Sequence, residues 1–208
     1  MTLTDIKKVL IIGSGTLGLR IGLQSALSGF ETTIYDINEK AFDSTRKIQA
    51  SLLKLLVDKK IFSAEQAAEA LQRIHFSLDP ADAAKDADFV SESVLEDLSV
   101  KKKVWSQFAD RCPPHAIFTT NTSYLLPSWF AAETGRPGLF CAFHFHDVFN
   151  ANVVDIMPHA GTQTWVTDLL MDMGRKLNQT PVFVKKESNG YIFNAMLMAL
   201  IGAAGALV

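Results

Sequence analysis

Cysteine is scarce: Cys112 and Cys141 are the only two in 208 residues. They form no CxxC and no framework of paired spacings, which removes disulfide scaffolds and fits a reducing, cytoplasmic compartment. Charge of one sign is also lacking, with 20 lysines and arginines against 22 acids and a net charge of −2. No basic surface for nucleic acid is therefore expected. The apolar run at 9–12 is too short for a secretory leader. A longer one at 191–208 carries Asn194, Gly202 and Gly205, lacks flanking aromatic belts, and reads as a buried helix rather than a membrane span.

At 48% hydrophobic and 20% charged, the chain has an ordinary globular composition. A continuous apolar strand at 8–13 (KVLIIG), a helix at 16–29 and a second strand at 31–36 (ETTIYD) make a strand–helix–strand unit with a right-handed crossover. Helical spacing then runs over 39–58, and Ser63 with Gln66 forms a capping box for a helix to about residue 73. Further strands are predicted at 74–77, 87–91, 116–120, 139–145, 153–157 and 181–185. Helices are predicted at 98–110 and 164–176, with a turn around Pro80. The fold class that follows is α/β: a Rossmann-type, doubly wound, mainly parallel sheet with a helical excursion. It fills residues 1–188. The polar turn Ser188-Asn189-Gly190 separates it from 189–208, read as the first helix of an incomplete all-helical C-terminal domain.

Gly13-Ser14-Gly15-Thr16-Leu17-Gly18 is a GxGxxG between a strand and a helix. Its first glycine suits the tight turn, its second the close approach of a pyrophosphate, and its third the packing of helix on sheet. Free N–H groups at the helix start suit an anion. Asp36 ends the second strand, where a carboxylate accepts from a ribose 2′-OH and repels a 2′-phosphate, so NAD is the expected cofactor.

Three later stretches, SESVLEDLSVKKK at 91–103, IFTTNTS at 117–123 and FHFHDVFNANVVDIM at 143–157, together with GYIFN at 190–194, resemble the 3-hydroxyacyl-CoA dehydrogenase family in order and spacing. The resemblance implies that His144 is the catalytic base, Asp155 its orienting carboxylate, and Ser123 and Asn194 the polar pair that binds substrate. It also implies that Glu96, Lys101 and Ser123 line the cofactor site and that Ser51 contacts CoA. The implied reaction is reversible NAD-linked oxidation of a 3-hydroxyacyl substrate to its 3-ketoacyl form, with a short-chain CoA thioester expected and a homodimer as the full-length assembly. Non-CoA β-keto or diketo esters, or hydroxy (sugar) acids, are the alternative substrates. An NAD-binding module without turnover is the alternative class.

From the residues alone, an imidazole with a pKa near neutrality is a suitable base for a secondary alcohol. Other readings stay open. His144 also suits a core histidine in an aromatic strand, and Glu96 with Lys101 an ordinary helix start. His144, His146, Asp147, Asp155 and His159 have no familiar ligand spacing, and no metal is expected. The chain departs from the family's H-F-F-N-P pattern: it reads His144-Phe145-His146-Asp147-Val148, losing an asparagine and a proline. Asp155 is one methylene shorter than the usual glutamate.

Overall fold

The structure is a computed structural model that describes residues 1–206. Eight strands, β1 (Lys8–Ile12), β2 (Glu31–Tyr35), β3 (Ile74–Ser77), β4 (Phe89–Glu92), β5 (Ile117–Thr120), β6 (Phe140–Phe145), β7 (Val153–Met157) and β8 (Thr180–Phe183), form one sheet ordered 3-2-1-4-5-6-7-8. Every neighbouring pair is parallel except β6 with β7. The helices are α1 (Gly18–Leu27), α2 (Glu39–Asp58), α3 (Ala64–Gln72), α4 (Pro80–Ala84), α5 (Leu98–Phe108), α6 (Thr164–Lys176) and α7 (Phe193–Gly205).

The two-residue period of a strand divides the core. In β1, Val9 and Ile11 enter one apolar cluster with Ile21 of α1 and Val166, Leu170 and Met173 of α6. Leu10 and Ile12 enter another with Trp105 and Phe108 of α5. Both sheet faces are thus covered, which accounts for the unbroken apolar runs of the parallel strands.

The first helix begins at Gly18 rather than at residue 16, because residues 14–17 remain in the glycine loop. The turn at Pro80 is instead the short helix α4: Pro80 sits in its first turn and the Asp79 side chain accepts from the Ala81 N–H. The fourth strand extends to Glu92, burying an acid at its end. The final segment is helical as expected, α7 starting at Phe193, but it is not the buried helix expected, since no residue of it is buried within this chain; residues 207–208 lie outside the described part. Its apolar side chains are exposed, including Met196 at 61% and Leu200 at 68%. Among the described residues, no helix is long and apolar enough to cross a membrane.

Candidate active site

Strand order reverses between β1 and β4, and the crevice beyond their carboxyl ends is where open α/β sheets bind ligands. The glycine loop lies there. Gly13 has φ +101°, and a Cβ on it would stand 2.7 Å from the Ser93 carbonyl oxygen, so the turn demands glycine. A Cβ on Gly18 would fall 1.9 Å from the Gly13 carbonyl oxygen. Gly15, by contrast, faces open space. The N–H groups of Gly15, Thr16 and Leu17 make no hydrogen bond to the described residues, leaving donors for an anion at the start of α1. Gly18→Ala is expected to destabilise the chain by about 1–3 kcal/mol or more. A thermal midpoint that matches wild type, with NAD stabilisation intact, would contradict this packing.

Asp36 closes one side of the crevice. One carboxylate oxygen accepts from the Ser14 N–H at 2.8 Å and the Ser14 hydroxyl at 2.7 Å, and the other from the Asn38 N–H at 3.0 Å. A carboxylate offers about four lone-pair positions, so one remains for a sugar hydroxyl while the others shape the loop. Beside it, a cleft of about 350 Å³ is lined by Ile37, Val94, Leu95, Val100 and Val104. These apolar walls fit the flat faces of an adenosine.

Glu96 stands over the end of β5. Its carboxylate accepts from the Thr122 hydroxyl and from the Ser123 and Tyr124 N–H groups at 2.9 and 2.8 Å. Burial pushes Glu96 up, but the Thr122 hydroxyl, Lys101 and those two N–H groups outweigh it and hold the carboxyl below its usual value. Lys101 is only 1% exposed. Its ammonium lies 2.7 Å from fully buried Glu92 and 3.4 Å from Glu96, so it reaches the crevice only through these acids. Glu92 also accepts from the Thr120 hydroxyl and the Val94 N–H. Sequence reasoning missed Glu92, although an acid ending the apolar run DFVSE was its signal.

Ser123 and Asn194 are brought together: the Asn194 amide lies 3.4 Å from the Ser123 carbonyl oxygen, and the neighbouring Asn189 amide donates to the Tyr124 carbonyl. Asn121 ties the same turn to β6 by accepting from the Phe145 N–H. Ser51 is different. It is exposed on α2 and its hydroxyl donates to Lys47 of its own helix.

His144 is 2% exposed near the end of β6, directly opposite Asp155 of β7 in the antiparallel register. The Tyr191 ring tilts over it at 4.7 Å between centroids. Tyr191 has φ +55°, a conformation costly for a non-glycine residue, and its ring is nonetheless buried against His144. Asp155 does not reach His144 closely: its Oδ2 is 3.7 Å from His144 Nδ1, which is buried without a hydrogen bond, but 2.9 Å from His146 Nε2. Burial lowers the proton affinity of His144, against the attraction of Asp155. For Asp155, burial raises the carboxyl, but His144 and His146 outweigh it and hold it below its usual value.

The remaining members of that sequence cluster turn elsewhere. Asp147 pairs with Arg20 of α1 at 2.8 Å and accepts from the Phe149 and Asn150 N–H groups, so its side chain shapes the loop where the family pattern has a proline. His159 bonds the Pro137 carbonyl. Both cysteines are buried, and burial pushes the Cys112 thiol up to about 12, which suits a packing role rather than a nucleophile.

Residues 8–188 match the family described as 3-hydroxyacyl-CoA dehydrogenase, NAD binding domain. A probable 3-hydroxyacyl-CoA dehydrogenase of Caenorhabditis elegans is 29% identical over 204 residues, covering 94% of this chain and 65% of its own length. Among solved structures, a diketoreductase aligns with TM-score 0.91 and 36% identity over 96% of this chain and 71% of that one. A (S)-3-hydroxybutyryl-CoA dehydrogenase from Ralstonia eutropha aligns with TM-score 0.89 and 28% identity over 96% and 70%.

Proposed function

The chain belongs to the 3-hydroxyacyl-CoA dehydrogenase family and carries its NAD-binding domain, and on that premise we propose that the protein oxidises a 3-hydroxyacyl substrate reversibly to its 3-keto form. The observation that carries this reading is a buried His144 near the carboxyl end of β6, opposite Asp155 and covered by Tyr191, whose segment also brings Asn194 to the Ser123 carbonyl. Bound NAD would supply the hydride acceptor.

In this reading His144 takes the hydroxyl proton. Its Nδ1 is buried on the Asp155 side without a hydrogen bond, which supports Nε2 as the nitrogen that acts. Asp155 stabilises the imidazolium that forms. Ser123 and Asn194 hydrogen-bond the substrate oxygens and hold its C3 in place, and Tyr191 packs on the His144 ring so that it keeps one orientation. Gly13 to Gly18 cradle the pyrophosphate, Asp36 takes the adenosine ribose, and Glu96 orders the Ser123 turn beside the cofactor. Lys101 contributes by holding Glu96 and Glu92.

The substrate is proposed to be a short-chain CoA thioester. A non-CoA β-dicarbonyl compound is the second reading, favoured by the 36% identity to a diketoreductase and by the changes at Asp147, Val148 and Asp155. NADH formation across thioester and free 3-hydroxy substrates separates the two. Turnover of 3-hydroxybutyryl-CoA supports the first, and turnover confined to non-thioesters removes it. We further propose that residues 189–208 begin a helical unit whose other helices cover the exposed face of α7 and pair two subunits.

Asp36→Ala removes a charged acceptor and the Ser14 tether together. It is expected to weaken NAD binding about tenfold or more while costing NADP little. Equal losses for both cofactors would place Asp36 in the loop alone.

A further inference from the structure

Two imidazoles compete for one carboxylate. His144 and His146 are at i and i+2 of the chain leaving β6, so both face the same side, and their rings meet edge to face at 4.6 Å. Asp155 projects from the neighbouring strand at the register of His144, but its Oδ2 is 2.9 Å from His146 Nε2 and 3.7 Å from His144 Nδ1. Only the first distance is a hydrogen bond. His146 is itself held in place by Phe193, 4.8 Å away between centroids. The result is a buried His144 Nδ1 with no partner beside an acid that is already engaged.

We propose that His146 is a positioning residue of this site: it holds the Asp155 carboxylate away from His144 and thereby weakens His144 as a base. The proposal rests on the role given to His144 above. A glutamate would reach His144 with one further methylene, whereas the shorter Asp155 is retained by His146. The charged or titratable groups facing His144 are Asp155 from β7, His146 beyond β6, Glu96 from the loop before α5, and Tyr191 before α7. Of these, Asp155 and Glu96 favour its imidazolium and His146 opposes it. Replacing the His146 imidazole, which opposes the His144 imidazolium, while freeing Asp155 therefore acts twice in one direction, raising the proton affinity of His144. A weaker base stays neutral, and so competent to take a proton, to lower pH. His146 thus extends alcohol oxidation toward acid pH.

The test is an NMR titration of the His144 ring, assigned by its loss in His144→Asn, in wild type, His146→Phe and Asp155→Glu. Phenylalanine keeps the ring that packs on Phe193. The His144 midpoint is expected to rise in both variants, and the acid limb of kcat/KM for oxidation to move to higher pH with it. An unmoved or lowered midpoint in folded His146→Phe overturns the proposal, since a purely packing role would alter stability alone. If His146→Phe fails to fold, Asp155→Glu decides, and a midpoint that does not rise overturns it. Because the titration needs no substrate, a raised midpoint without turnover would sink the dehydrogenase reading and leave the positioning role standing.

Discussion

His144→Ala is expected to lower the rate of NADH formation by about 10²–10⁴-fold, the usual loss when a positioned general base is removed. The alcohol proton then has only water to receive it. KM should change little, because Ser123, Asn194 and the cofactor crevice are untouched, so the loss falls on kcat. The wild-type rate should rise with pH as His144 loses its proton, since only the neutral ring accepts one. Burial lowers that transition below the ordinary imidazole value, and the variant should lack it. A His144→Ala protein within a few-fold of wild type would return His144 to the role of a packed core histidine.

The second large effect concerns stability. Lys101→Met is expected to cost about 3–5 kcal/mol, because it strands the carboxylate of fully buried Glu92 without its cation. At roughly 2–4 °C per kcal/mol for a chain of this size, the thermal midpoint should fall by about 6–20 °C. Adding Glu92→Gln should recover part of the loss, as the amide oxygen still accepts from Val94 or Thr120 without leaving a charge behind. NAD affinity of the folded Lys101→Met protein should fall less than its stability, because Glu96 keeps three other donors. An unchanged midpoint with a lost cofactor site would put Lys101 on the wall of the crevice instead of beneath it.

Much of this was legible before the structure because local rules and global packing agree. The strand 8–12, the glycine turn and Asp36 are in register by mechanical necessity: the Gly13 φ and the Gly18 contact admit no side chain. Periodicity also found most elements within a few residues. What it does not carry is strand direction or pair chemistry. The antiparallel β6–β7 pairing places Asp155 opposite His144, yet only three-dimensional reach decides that its oxygen binds His146. The same holds for Asp147, whose ion pair with Arg20 joins residues 127 positions apart. Tyr191 left no signal, since nothing in GYIFN announces a left-handed tyrosine stacked on His144.

The central claim is that hydride leaves C3 of a 3-hydroxyacyl substrate for NAD while His144 takes the hydroxyl proton. It is tested most directly with 3-hydroxybutyryl-CoA deuterated at C3, following the reduced cofactor by mass. The account predicts NADH one mass unit heavier, formed by wild type and strongly reduced with His144→Ala. Reduced cofactor without deuterium, or none from any 3-hydroxyacyl substrate, would contradict it.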